Sequence, residues 1–145
     1  MSVIGPEYSI LWTTISGDGQ QIAFSMEKQS DYADSLQIAS YREEFFPHWV
    51  VTKVLTPFGA IGPRYMEWSP VPGSKQLAYS DGTGNNIINT ESGVITNYGP
   101  GSQPTWSGGT KLYFSGGKGL AYITLGSPTV TTISARGPNH PKYRN

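Results

Sequence analysis

The residues able to do acid, base or nucleophilic work are few and scattered. In 145 residues there are two histidines, His48 and His140, and no cysteine. Neither histidine lies in a motif with a nucleophile, and no Gly-x-Ser-x-Gly elbow occurs, so the spacing announces no hydroxyl–imidazole–carboxylate triad. The stretch Asp81-Gly-Thr-Gly-Asn85 has the start of a calcium loop, but Ser92 stands where a bidentate closing Glu is needed. Two histidines among dispersed carboxylates have no metal-ligand spacing either. Gly116-Gly-Lys118-Gly119 has the composition of a phosphate loop, yet it separates two strand-like runs and opens no helix, so the amide cradle and helix dipole are missing and a β-turn is expected. The expectation is a protein that is not an enzyme and has no metal and no cofactor.

A different chemistry, recognition, is offered by Phe45, Phe46, His48 and Trp49 beside Glu43 and Glu44. Aromatic anchors with a charged rim are what protein interfaces favour, so these six are candidate partner-binding residues. Folding back onto the scaffold is the other reading of the same side chains, and the sequence leaves both open. They fall within an insertion, Met26 to Asp34 and then Arg42 to Trp49 around a short strand, and loops of this kind carry recognition on rigid scaffolds.

The elements that must position them are strands. Gly 18, Pro 11 and 12% aromatic residues describe a chain punctuated by turns, with short runs of Tyr, Trp, Thr, Ile and Val between them. No stretch sustains helical periodicity; the nearest, Tyr41-Arg-Glu-Glu-Phe-Phe46, is stopped by Pro47, so almost no helix is expected. Ten basic and ten acidic residues balance to zero, against the basic surface of a nucleic-acid binder. No window approaches the roughly 20 apolar residues of a membrane span, and the opening Met1-Ser-Val-Ile-Gly-Pro6 is not signal-peptide-like. The compartment is left open.

Internal similarity is readable directly. Ile15-Ser-Gly-Asp-Gly-Gln-Gln-Ile-Ala-Phe-Ser25, Trp68-Ser-Pro-Val-Pro-Gly-Ser-Lys-Gln-Leu-Ala-Tyr-Ser80 and Trp106-Ser-Gly-Gly-Thr-Lys-Leu-Tyr-Phe-Ser115 share one plan: a bulky apolar residue, Ser, a Gly-containing turn, then alternating apolar residues ending in Ser. Each reads as a hairpin. A second strand pair follows each: Ser35 to Tyr41 with Val50 to Leu55, Asn86 to Thr90 with Val94 to Tyr98, and Leu120 to Thr124 with Thr129 to Ile133. Four antiparallel strands per unit result, with units at about 9–57, 63–99 and 103–134 in a single domain over 1–145. Asp18-Gly19 with Ile22-Ala-Phe-Ser25, the ending Val54-Leu-Thr56, and Pro104-Thr-Trp106-Ser107 resemble the repeat of TolB-type, WD-like β-propellers. The resemblance implies four-stranded blades, about three of them, a partial or half propeller. It departs from that pattern at Ile15, which replaces the Trp, in the lengthened second turn, and in the missing Asp of the third unit.

Three blades cannot close a ring, since propellers use four to eight. Residues 137–145 look like the first strand of a fourth unit, with Pro141 and Tyr143 matching Pro104 and Trp106. Tyr8 and Trp12 at one end and Pro141 and Tyr143 at the other are the expected assembly edge. Residues 1–72 hold eight acids and four bases, net −4, whereas 73–145 hold two acids and six bases, net +4, so head-to-tail contact between copies is attractive. The expected function is a protein-interaction and self-assembly module whose partner is protein, in the first instance a homo-oligomer of itself. A structural subunit of a virion or extracellular filament, and an adaptor or propeller fragment docking a different protein, are the alternatives.

Overall fold

A computed structural model of the chain describes residues 5–59, 62–127 and 129–135. Twelve strands are defined and none of the described residues is helical: β1 Tyr8–Ile15, β2 Gln21–Lys28, β3 Ala33–Arg42, β4 His48–Gly59, β5 Arg64–Trp68, β6 Gln76–Asp81, β7 Gly84–Asn89, β8 Ile95–Asn97, β9 Gly101–Ser107, β10 Lys111–Gly116, β11 Gly119–Thr124 and β12 Thr131–Ala135. They form three four-stranded antiparallel sheets, β1–β4, β5–β8 and β9–β12, each in sequence order. The Pro47 stop acts as read: the helix-like run Tyr41 to Phe46 is the end of β3 and a tight turn.

Each hairpin turn is closed by the residues that mark the repeat. In the first, Asp18 Oδ1 accepts from Ser16 Oγ at 2.6 Å and from the Gln20 amide at 3.0 Å, and Gly19 takes φ +73°. Those hydrogen bonds, the Ser16 one foremost, hold the Asp18 carboxyl below the ordinary carboxylate range. In the second, the Trp68 indole N–H donates to the Ser74 carbonyl at 2.9 Å across the lengthened turn. In the third, Gly108 and Gly109 both adopt positive φ, which only glycine does without strain, so the lost Asp is replaced by backbone freedom.

The insertion in the first unit is spent differently from the expectation of a loop. Met26 to Lys28 extends β2, and Ala33 with Asp34 opens β3, leaving only a short turn at 29–32 with Tyr32 at φ +55°. The result is a 10-residue β3 and a 12-residue β4, against three residues in β8 and five in β12. Residues 34–39, at the middle of the first sheet, are buried on both faces of the strand while Ser40 to Arg42 emerge from it, so sheet pairing outcompetes the loop.

Packing follows the two-residue period. Across the first sheet, Thr14, Ala23, Ile38 and Lys53 lie in one register row and face the second sheet. Ala23, Leu36 and Ile38 bury there against Met66, Trp68, Leu77, Tyr79 and Ile88. On the opposite face of the second sheet, Ala78 and Ile87 pack against Trp106, Leu112, Phe114, Ala121 and Ile123 of the third. The second sheet is thus buried on both sides, which is why Leu77-Ala-Tyr79 and Ile87-Ile88 are uninterrupted apolar runs. Polar links tie the sheets as well. The Trp68 amide donates to Thr14 Oγ1 at 3.0 Å, and the Lys53 ammonium donates to the Thr90 and Glu91 carbonyls at 2.7 and 2.6 Å. Glu67 accepts from Thr105 Oγ1 at 2.5 Å and from the Trp106 amide, while its carbonyl accepts from the Trp106 indole at 3.0 Å.

The first strands of the sheets run in the same direction. Trp12 meets Tyr65 and Thr14 meets Trp68 along β1 and β5, and Tyr65 neighbours Ser102 while Glu67 meets Thr105 along β5 and β9. The turns β1–β2, β3–β4, β5–β6, β7–β8, β9–β10 and β11–β12 therefore share one end of the molecule. The β2–β3, β6–β7, β8–β9 and β10–β11 connections share the other.

Candidate functional site

The six predicted partner-binding residues come together at the β3–β4 turn. Glu43 and Glu44 are exposed at its start, and Phe45, at φ +68°, is fully exposed at its tip. A positive φ at a residue with a Cβ costs on the order of 1 kcal/mol, so the turn holds this ring outward against a local preference. The Phe46 amide donates to the Glu44 carbonyl at 2.9 Å, and His48 Nδ1 lies 2.6 Å from the Phe46 carbonyl with the two rings 5.0 Å apart. Trp49 packs on Tyr41 at 5.4 Å, one strand pair below. Phe46 stacks on His48 at the start of β4 and Trp49 on Tyr41 across β3 and β4, while Phe45 has no ring partner among the described residues and is fully exposed.

The residues predicted to form an assembly edge have two fates. Trp12 stacks on Tyr65 at 4.8 Å, on the side facing the second sheet, and Tyr8 lies 5.8 Å from Phe58. Pro141 and Tyr143 lie outside the described residues. What the first sheet turns away from the second is a different set. The row Ile15, Ile22, Ala39 and Val51 and the row Thr13, Phe24, Gln37 and Val54 cross all four strands. Phe24 at the centre is buried, while Ile15 and Val54 at the rim are each 55% exposed. The third sheet turns outward Tyr113 and Tyr122, 5.5 Å apart, with the Lys111 ammonium 5.0 Å from the Tyr122 ring.

No family model and no curated protein matches this chain. The functional reading therefore rests on geometry, and two cavities complete it. One, of about 350 Å³, is lined by Gly62, Arg64, Tyr65, Ser80, Asp81 and Ser102, among others. Behind its wall sits Asp34, 4% exposed, with Oδ1 unpartnered among the described residues, and a side chain at Gly62 would collide with it. Burial pushes the Asp34 carboxyl up, against the opposing pull of Arg64. Asp81, singled out as a calcium-loop start, accepts from the Thr83 amide and hydroxyl at 2.8 and 2.6 Å, which makes it the cap of the β6–β7 turn. Among the described residues no group of three or more His, Asp or Glu side chains is placed to hold a metal.

The second cavity, of about 310 Å³, opens between Tyr98, Pro100, Phe114, Ala121 and Val130, with Lys118 its one charged described residue. Gly116, Gly117 and Gly119 form part of its wall. The Gly116–Gly119 turn is the β10–β11 hairpin the sequence pointed to. What the sequence reading missed is that its glycines border an apolar recess. It missed the Tyr65 position too. A 38-residue offset superposes Trp68 on Trp106 and Tyr65 on Gln103, and both of those have positive φ. The first strand of each sheet carries an irregularity near this position, which the unlike residues Tyr65 and Gln103 do not announce.

No described helix is long and apolar enough to cross a membrane.

Proposed function

We propose that the chain is a non-catalytic protein-interaction and self-assembly module of the β-propeller type, with TolB-like repeats as its blades and copies of itself as its first partner. The observation that carries this reading is the inequality of the three sheets. The second is covered on both faces, whereas the first and third each turn one apolar or aromatic face away from it. A sheet with a large apolar face is stable only when that face meets another layer. The aliphatic rim of the first sheet, Ile15, Val51 and Val54, and the Tyr113–Tyr122 face of the third are different surfaces, so the contact between copies is heterologous. The opposite net charges of the two halves of the chain favour the same head-to-tail arrangement.

Light scattering across a concentration series tests this. A discrete dimer is two copies completing a six-bladed ring. Species that grow with concentration are a propagating assembly, the behaviour of a virion or filament subunit. A monomer at every concentration overturns self-assembly and leaves an adaptor that docks a different protein.

A further inference from the structure

We infer that copies of this chain also join end to end, the Phe45–Phe46 tip of one seating in the apolar recess beside Lys118 of the next. This goes beyond the face-to-face contact proposed above and uses different surfaces. The tip is built to project. Phe45 is held outward by a left-handed backbone, Phe46 is braced by His48, and Glu43 and Glu44 precede them. The recess is its complement in size and sign. Its volume of about 310 Å³ admits an aromatic side chain, its wall is Tyr98, Pro100, Phe114, Ala121 and Val130, and Lys118 at its edge meets the two glutamates. Gly117 has open space beside its Cβ position.

Placement decides who the occupant is. The tip belongs to the β3–β4 turn of the first sheet, and the recess is lined chiefly by the β8–β9 and β10–β11 connections at the other end of the molecule, with Val130 reaching it from the β11–β12 side. A chain cannot fill its own recess across two sheets and a strand length. A second copy in the same orientation can, and the contact repeats with polarity because each copy keeps one free tip and one free recess. An aromatic anchor entering an apolar pocket with an opposite charge at its rim is the arrangement that concentrates binding energy in a few residues.

A charge-swap cycle tests it on the full chain. Glu43→Lys with Glu44→Lys should abolish growth beyond the species formed by the sheet faces, and Lys118→Glu alone should do the same. Combining all three should restore growth to at least half the wild-type extent, a rescue that misfolding cannot imitate. Because the chain has no cysteine, Glu43→Cys with Gly117→Cys, which keeps both phenylalanines, adds a direct readout: mild oxidation should give a ladder of disulfide-linked multimers, absent from either single variant beyond its dimer. Charge variants that assemble as wild type does, a triple variant without rescue, or no ladder would each overturn the tip-in-recess contact. A discrete dimer that never grows would overturn it while leaving the self-assembly reading intact, whereas a strict monomer would overturn both.

Discussion

The first and second sheets have the same strand order, the same hairpin motif and nearly the same residue chemistry, and yet one is a core layer and the other is a boundary. In the second sheet Leu77, Ala78, Tyr79, Ile87 and Ile88 are all within 3% of complete burial, because each face has a neighbour. In the first, Ala23, Leu36 and Ile38 facing the second sheet are equally buried, and Phe24 and Ala39 at the centre of the far side are buried too, but Ile15, Val51 and Val54 at its rim are open to solvent. A repeat dictates how a chain folds into a sheet; the number of neighbours dictates what that sheet is worth. This is the one-dimensional logic of stacked units, in which a terminal unit lacks half of its interface.

The comparison breaks most easily at the middle layer. Ile88→Ala removes a fully buried side chain from the contact between the first and second sheets and should cost about 2–5 kcal/mol, the usual range for a large-to-small core change. Denaturant unfolding of the wild type and variant at equal concentration reads it. A cost near that of a surface change would mean that the second sheet is not a clamped layer.

A second test uses Tyr79 as a reporter of the same layer. Burial, with a smaller contribution from Asp81, pushes its phenol up to about 12. The folded state therefore keeps the proton that the unfolded chain gives up near pH 10, so stability is full below pH 10 and falls as pH rises toward 12. Two pH units at about 1.4 kcal/mol each make the loss roughly 2–3 kcal/mol. Tyr79→Phe should remove that slope, and urea midpoints between pH 9 and 12 would show it. An unchanged slope in the variant would assign the alkaline loss to other groups.

How much of this could be read beforehand follows from the same asymmetry. The hairpins at Ser16 to Gln20, Ser69 to Lys75 and Ser107 to Thr110 were legible because a turn is written in adjacent residues, a Gly-containing stretch that follows a bulky apolar residue and Ser. In the second and third units the second strand pair was legible for the same reason, through Gly93 and Gly126. The extension of β2 and β3 through Met26 to Lys28 and Ala33 to Asp34 was not, because polar, charged residues such as Glu27 and Lys28 read as loop until a partner strand is known. At the tip, the residue types announced recognition, whereas the outward projection of Phe45 depends on a backbone φ that no composition reveals. The recess beside Lys118 was illegible: Tyr98, Phe114 and Val130 belong to three separate strands and connections, and only their packing makes a cavity.

A smaller effect sharpens the third-sheet boundary. Glu67 ties β5 to β9 by accepting from Thr105 and the Trp106 amide, and Glu67→Ala should cost about 1–2 kcal/mol, the worth of hydrogen bonds to a partly exposed charged group. Thr105→Val in the same background should then cost little more, since the shared partner is gone. Additive losses in that double-mutant cycle would dissolve the link.

The smallest effect is the most telling. Val54→Lys changes a residue 55% exposed on the outward face of the first sheet, and in dilute monomer it should move the unfolding free energy by no more than about 0.5 kcal/mol. At concentrations where copies associate, the same charge would be driven into an apolar contact without a counter-ion, and association should be lost. The difference between the two regimes is the measurement, because a variant that fails in both is merely unstable. A large cost in the dilute chain would mean that the far face is already covered from within, as the burial of Phe24 at its centre permits. The first sheet would then be a second core layer, with no free face for another copy to complete.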